Sequence, residues 1–141
     1  MPIKISNCSN NYGPYQFPEK IIPFFTFKLL AGEKVPVYGD GSNMRDWIHA
    51  KDHAKALDLL LHEGTPGEVY NIGSDNEVSN LDLTKMILQT LELPEDMIEF
   101  VTDRPGHDRK YAIDSSKIKA LGWAPEYTAD KFVQGLKETL E

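Results

Sequence analysis

RDWIHAKDHAKALDLLLHEGTPGEVYNIG, residues 45–73, sets two short apolar runs on either side of a helical pattern. Trp47 and Ile48 sit in a short strand-like run, and the chain then passes into a helix whose predicted cap is Asp52. Ala54, Leu57, Leu60 and Leu61 recur at helical spacing and form the predicted inner face. EVYNIG then reads as a second strand ending in glycine. Strand, helix and strand in close succession argue for an α/β fold.

The same alternation extends in both directions. Downstream, Asn80 is the predicted cap of LDLTKMILQTLEL, in which Leu83, Met86, Ile87 and Leu91 are spaced for a helix. IEFV reads as a strand, DSSKIKALGW as a short helix, and TADKFVQGLKETLE as a last helix capped by Thr128. Upstream, VPVYGDG is a strand and turn. FPEKIIPFFTFKLLAGE is a helix opened by Pro18 and Glu19 and stopped by Gly32, with Pro23 tolerable only in its first turn. That helix is apolar nearly all round and should be buried on more than one face. Ahead of it, PIKIS is a strand at Ile3 and Ile5, and NCSNNYGPYQFPEK reads as a turn-rich loop. No internal repeat, low-complexity tract or linker interrupts the series.

A chain of 141 residues suggests one domain, able to bury roughly two thirds of its unfolded surface. Hydrophobic residues at 40% and charged residues at 26% are ordinary globular values. The formal charge of -7, with no basic run, argues against nucleic acid as a partner. Cys8 is the single cysteine, which excludes an intrachain disulfide. Without a secretory leader or a long apolar run, the reading is cytoplasmic with no membrane partner.

The familiar catalytic motifs are missing. GDGSN at 39–43 has only the first half of a dinucleotide fingerprint, and no P-loop, zinc pattern or GxSxG is present. His49 and His53 are four residues apart, but a helix capped at Asp52 leaves His49 outside it, so no metal site is expected. Tyr127 and Lys131 match YxxxK formally. With Thr128 as cap, however, Tyr127 precedes the helix and the match reads as accidental. What remains is polar binding chemistry. Arg45 and Arg104 follow turn regions, and a guanidinium fork suits bidentate capture of phosphate, so two of them can clamp a diphosphate. The alternative is structural pairing, Arg45 with Asp46 or Asp40 and Arg104 with Asp103 or Asp108. Asn10 and Asn11 have the donors and acceptors to read a sugar or amide edge, and they are equally plain turn residues. Tyr12, Tyr15, Tyr38 and Trp47 suit either core packing or a ring-stacking wall.

Four blocks taken in order narrow the choice. CSNNYGPYQFPEKIIP, VPVYGDGSNMRDWIHAKDHAKAL, GEVYNIGSDNEVSNLDL and DRPGHDRKYAIDSSKIKALGW resemble the carboxy-terminal half of dTDP-glucose 4,6-dehydratase. That family lies among the extended short-chain dehydrogenase/reductases of nucleotide-sugar metabolism. The resemblance runs from about Ile3 to the end. The NNYGP and YNIG blocks are shared with epimerases and decarboxylases of the superfamily, whereas RDW with the DRPGHDRKYAID block is particular to the dehydratase.

The resemblance implies the last part of a Rossmann-type parallel sheet plus the small carboxy-terminal substrate-binding domain. Residues 1–16 and roughly 45–73 would be the sheet elements, and the rest the substrate domain. It implies a dTDP-sugar ligand held by Asn10, Lys20, Ile21, Pro36, Tyr38, Arg45, Asn80, Arg104, His107 and Tyr111, with Asn11 against the nicotinamide end of NAD. Arg109 and Lys110 are left open between binding and fastening the loop. The family's glycine-rich NAD loop, its Thr-Asp-Glu set and its YxxxK would lie upstream of Met1. The expectation is therefore a chain without catalytic residues of its own and inactive alone, with NAD belonging to the complete enzyme. Self-association or a complementary amino-terminal half is expected to cover what that leaves exposed. A fragment of a related epimerase or decarboxylase, or a noncatalytic sugar-nucleotide-binding or interaction module, is the alternative.

Overall fold

In the computed structural model, residues 1–103, 106 and 113–140 are described. The elements run β1 Ile5–Cys8, β2 Asn10–Tyr12, α1 Ile21–Leu30, β3 Val35–Tyr38, β4 Met44–His49, α2 Ala50–Glu63, β5 Val69–Ile72, β6 Glu77–Ser79, α3 Asn80–Thr90, β7 Ile98–Val101, α4 Ser116–Lys119 and α5 Phe132–Leu140. Short 3-10 turns occur at Glu95–Met97 and Ala129–Lys131. The alternating α/β reading of the sequence is the architecture observed.

The pairings are mostly parallel. β1 runs parallel to β5, β2 to β4 and β3 to β7, while β6 lies antiparallel to β4. The chain changes partner at Ser9. Its N–H still donates to Ile72 O on the β5 side at 2.9 Å, and the next residue, Asn10, is already paired with Trp47 on β4. The stretch expected to be a loop therefore contains a strand, because the turn residues Asn10 and Asn11 are overruled by the backbone bonds β4 offers. β6 is also absent from the sequence reading, three residues being too few to show a period of two.

Strand β4 divides two cores. Trp47 faces a cluster with Tyr12, Ile22, Phe25, Leu29, Leu83, Ile87, Phe132 and Leu136. The next residue, Ile48, faces the other way, toward Ala56, Leu60, Tyr70, Ile72, Ile118 and Trp123. Successive side chains on a strand point to opposite faces, so one strand covered on both sides contributes to both cores.

Helix ends show where local rules prevail and where they fail. α1 begins at Ile21, and Pro23 falls in its first turn as required. It ends in a glycine cap. Gly32 has φ 77, and the N–H groups of Gly32 and Glu33 donate to Leu29 O and Lys28 O, closing the last carbonyls. The cap of α2 is not Asp52 but His49, whose Nδ1 accepts from the Lys51 N–H at 3.2 Å. Asp52 lies inside the first turn, fully buried, and its Oδ2 accepts the Tyr127 backbone N–H at 2.8 Å. The inner face of α2 is accordingly Asp52, Ala56 and Leu60, while Ala54, Leu57 and Leu61 are exposed. α3 is capped by Ser79 rather than Asn80, with Ser79 Oγ accepting from the Asp82 N–H at 3.0 Å. α5 starts at Phe132, after the 3-10 turn that follows Thr128.

Candidate functional site

Two adjoining clefts collect most of the predicted site residues. The larger, about 600 Å³, is bordered by Asn10, Asn11, the Gly13–Phe17 segment, Lys20, Ile21 and Trp47. The smaller, about 370 Å³, lies between α1, β3 and α3, with Ile21, Phe24, Pro36, Tyr38, Asn80 and Thr84 on its walls. Ile21 belongs to both, so the first residue of α1 is the partition between them.

The second cleft is assembled by the GDGSN turn. Gly39 and Gly41 take positive φ of 58 and 73, and a Cβ on Gly41 would stand 2.7 Å from Val37 Cγ1 and 2.8 Å from Leu81 Cβ. With glycine there, the Leu81 N–H reaches Gly41 O and the Asn80 N–H reaches Asn43 O, both at 3.0 Å. The turn thus carries the start of α3 to the end of β3 and puts Asn80 opposite Pro36 and Tyr38. The half-fingerprint of glycines in this turn serves close packing rather than a phosphate loop.

Arg45 lies on β4 opposite Val78 and lines neither cleft. One of its guanidinium nitrogens donates to Met44 O at 2.7 Å. Of the alternative salt-bridge partners, Asp46 is committed elsewhere. Buried, it accepts from the N–H groups of Ser74 and Asn76 at 3.0 and 2.7 Å and from Ser74 Oγ at 3.2 Å, fastening β4 to the 73–76 turn. Arg104, His107 and Tyr111, like Arg109 and Lys110, lie outside the described residues.

Beneath the larger cleft sits a group of ionisable side chains that composition alone does not reveal. Tyr12 and His49 are paired across β2 and β4 and meet edge to face, ring centroids 5.1 Å apart. Tyr127 stacks on the other side of His49 at 3.8 Å and 11°. The Tyr127 hydroxyl donates to Glu138 at 2.9 Å and accepts from Lys51 at 3.3 Å, so its partners are not Lys131 and the formal YxxxK is no catalytic pair. Burial, reinforced by the nearby Asp52 carboxylate, raises the Tyr12 phenol well above its ordinary range. Burial followed by the Lys51 charge lowers His49, and burial alone lowers His53, so both imidazoles are held toward the neutral form.

His53 adjoins the site through Asn11, and the spacing of residues does not point to that role. Its Nδ1 meets Asn11 Oδ1 at 2.8 Å. Asn11 Nδ2 in turn donates to Ser9 O at 3.1 Å and Cys8 Sγ at 3.3 Å, and Asn11 O accepts from Gln16 Nε2 at 2.8 Å. An i, i+4 pair of histidines suggests metal at most, whereas the tertiary fold turns one into a helix cap and the other toward Asn11. Among the described residues no group of three or more His, Cys, Asp or Glu is placed to hold a metal ion.

Comparison with known proteins gives a consistent result. The family model for GDP-mannose 4,6 dehydratase matches residues 1–136. The low-salt glycan biosynthesis protein Agl12 of Haloferax volcanii is 52% identical over the whole chain. The crystal structure of dTDP-glucose 4,6-dehydratase from Bacillus anthracis in complex with NAD superposes with a TM-score of 0.90 at 51% identity, over 99% of this chain and 43% of that one. UDP-glucose 4-epimerase from Thermotoga maritima, solved with UDP-glucose, gives 0.87 at 30% identity, over 97% of this chain and 44% of that one. The chain spans 44% of the length of the Haloferax protein, less than half, as with both solved structures. A match along nearly the whole sequence, on a fold shared with solved dehydratases and epimerases, shows that the chain belongs to the GDP-mannose 4,6 dehydratase family.

Proposed function

We propose that the chain is the nucleotide-sugar-binding part of a dTDP-glucose 4,6-dehydratase, the enzyme that forms the 4-keto-6-deoxy sugar with loss of water. One observation carries the reading. Residues from four separate segments, Asn10 and Asn11, Lys20 and Ile21, Pro36 and Tyr38, and Asn80, converge on two clefts that share a wall. The smaller cleft, apolar apart from Glu19, Asn80, Thr84 and the Tyr38 hydroxyl, suits a planar base with a few polar groups to orient it. The larger, with Asn10, Asn11 and Lys20 on its border, suits the sugar and phosphates. The charge that a diphosphate requires is assigned in this reading to Arg45, which shares β4 with the cleft residue Trp47 but lines neither cleft itself, and to Arg104. In this division residues 1–16 and roughly 45–73 are the sheet part, in which Ile48, Leu60, Tyr70 and Ile72 pack together, and the rest is the substrate domain, whose Leu83 and Phe132 pack in one cluster with Trp47 of the sheet part.

NAD belongs to the complete enzyme in this reading. Tight binding of NAD to this chain alone is not expected, since among the described residues Asn11, the residue implied to meet the nicotinamide, has its side-chain amide committed to Ser9, Cys8 and His53. The partner surface is β1 with the outer face of α2, open to a complementary segment or to a second copy. The epimerase likeness supports a related nucleotide-sugar enzyme as the second reading.

Titration calorimetry of the chain with dTDP and with UDP tests both. The dehydratase reading expects dTDP to bind more tightly than UDP, and Arg45→Ala to weaken it by about tenfold to a hundredfold, the scale of a lost hydrogen bond to a charged group. Lys110→Ala should weaken it less. Equal affinity of wild type and Arg45→Ala would remove Arg45 from the site, and preference for UDP would favour the epimerase.

A further inference from the structure

The bend at Ser9 decides which way Asn10 points, and the bend is held from one side by a side chain. β1 ends at Cys8 against β5, and β2 begins at Asn10 against β4. One residue separates two strand partners, and side-chain hydrogen bonds add to the backbone pairing that holds the chain on either side of it. Asn11 reaches back across the change, donating both amide hydrogens, one to Ser9 O and one to Cys8 Sγ. Because Ser9 O is an acceptor only, the nitrogen of the amide must face it, and Oδ1 must face away. Oδ1 is then the atom that His53 Nδ1 meets, so His53 donates from Nδ1.

We propose that His53 is a positioning residue of the candidate site: through Asn11 it fixes the bend where the chain leaves β5 for β4, and with it the placement of Asn10 on the larger cleft. The inference rests on the reading of that cleft as a sugar-nucleotide site, and it adds a residue outside the cleft's own lining. α2 supplies the rigidity. His53 is half-buried in the first turn of a fourteen-residue helix capped by His49, so its ring cannot follow Asn11 if the loop moves. Burial also favours the neutral ring, which has one N–H to give and therefore one tautomer that satisfies Asn11. The change of strand partner thus lies beside the larger cleft, and His53 holds it through Asn11.

The test uses the 141-residue chain, with nitrogen NMR of the His53 ring and of the Asn11 side-chain amide, and calorimetric titration with dTDP-glucose. In wild type the His53 ring is expected as the Nδ1–H tautomer. In His53→Asn, whose amide nitrogen falls close to the place of Nδ1, the Asn11 amide signals stay near their wild-type positions and affinity changes by less than about twofold. In His53→Gln and His53→Leu the signals move and affinity falls by about three- to tenfold, the range of one neutral hydrogen bond. An Nε2–H tautomer in wild type overturns the proposal, and needs no variant to fold. So does a His53→Leu chain with unmoved Asn11 signals, or a His53→Asn chain no better than His53→Leu. If wild type shows the expected tautomer and amide response but no dTDP-glucose binding, His53 still holds the bend, and it is the sugar-nucleotide reading that fails.

Discussion

At the scale of single residues, His49 shows how one ring can serve both structure and pH dependence. Its Nδ1 must be unprotonated to accept the Lys51 N–H, while Tyr12 and Tyr127 enclose the ring. Burial, then Lys51, lower its pKa from the ordinary 6.5, against the opposing pull of Asp52 and Glu138, and burial lowers His53 in the same direction. The unfolded chain therefore takes up protons at higher pH than the folded one. The stability these two rings contribute is complete above about pH 6.5 and is lost as pH falls through their lowered folded values. The carboxylates with lowered values, Asp114, Glu126, Asp130 and Glu138, act further down, below their ordinary 3.8 and 4.5. Urea unfolding between pH 7 and 5 should accordingly show falling stability in the wild type. A His49→Gln, His53→Asn double variant should show a flatter profile over the same range, even if it is less stable at pH 7. An equally steep profile in the variant would assign the loss to other groups.

At the scale of elements, α5 is attached to the site through a glycine. Gly135 is buried in mid-helix, and a Cβ there would stand 2.8 Å from Tyr12 Oη and 2.9 Å from Tyr127 Cδ1. Helix propensity favours Gly135→Ala by about 1 kcal/mol, and overpacking a tight contact costs about 1–3 kcal/mol, so the net expectation is loss. Neither neighbour can yield easily, since Tyr12 also packs against Phe132 at 4.9 Å and Tyr127 is stacked on His49. We expect a lower denaturant midpoint with an unchanged slope, and a tyrosine hydroxyl environment that changes in near-ultraviolet absorption. A higher midpoint would mean that α5 can lift away from Tyr12 at no cost. The same helix illustrates the limits of local reading. The spacing in TADKFVQGLKETLE is sufficient to find the helix, but a glycine inside it looks like a weakness until the phenol opposite is seen.

At the scale of the whole molecule, apolar residues are left outside in several places, including Phe24, Phe27 and Leu30 on α1, which is therefore covered on one face only, and one group of them gathers on β1, α2 and β5. Among the described residues β1 pairs with β5 alone, and Ile3, Ile5, Leu57, Leu61 and Val69 are all exposed, from 42% to 69%. A groove of about 360 Å³ runs between β1 and α2, lined mainly by Pro2, Ile5, Leu57, Leu60, Leu61 and Pro66, with Ser6 and Lys4, whose ammonium donates to Leu61 O at 2.8 Å. A parallel strand is ordinarily covered on both faces, and an open edge offers its N–H and C=O groups to another strand. When the chain is alone in solution, the occupant we expect is β1 of a second copy. Size exclusion with light scattering should find dimers or larger species at micromolar concentration, little changed by salt because the contact is hydrocarbon rather than charge. Leu61→Glu should shift the distribution toward monomer. A 15.9 kDa monomer at both low and high salt would refute the expectation.

How much of this was legible without coordinates differs from feature to feature. The alternation of strands and helices, the proline in the first turn of α1 and the glycine at its end are local matters, settled by periodicity and backbone freedom within a few residues. Kinship was legible too, in four ordered blocks of sequence. What the sequence left open were choices between two locally sensible options. Helical spacing makes Ala54, Leu57, Leu60 and Leu61 the expected inner face of α2, whereas of these only Leu60 is buried, beside Ala56, because the position of β5 and α4 selects that face. His49, Asp52, Ser79 and Asn80 are all competent caps, and the strand that precedes each helix determines which one has extended backbone at the right moment. Asn10 and Asn11 read as turn residues until β4 supplies hydrogen bonds to pair them as a strand. The sequence by itself determined the helices, the strands other than the three-residue β2 and β6, and the chemistry available, because these depend on neighbours along the chain. The tertiary structure alone decided which face is covered and which histidine meets which asparagine, because those energies arise between residues that are about forty positions apart.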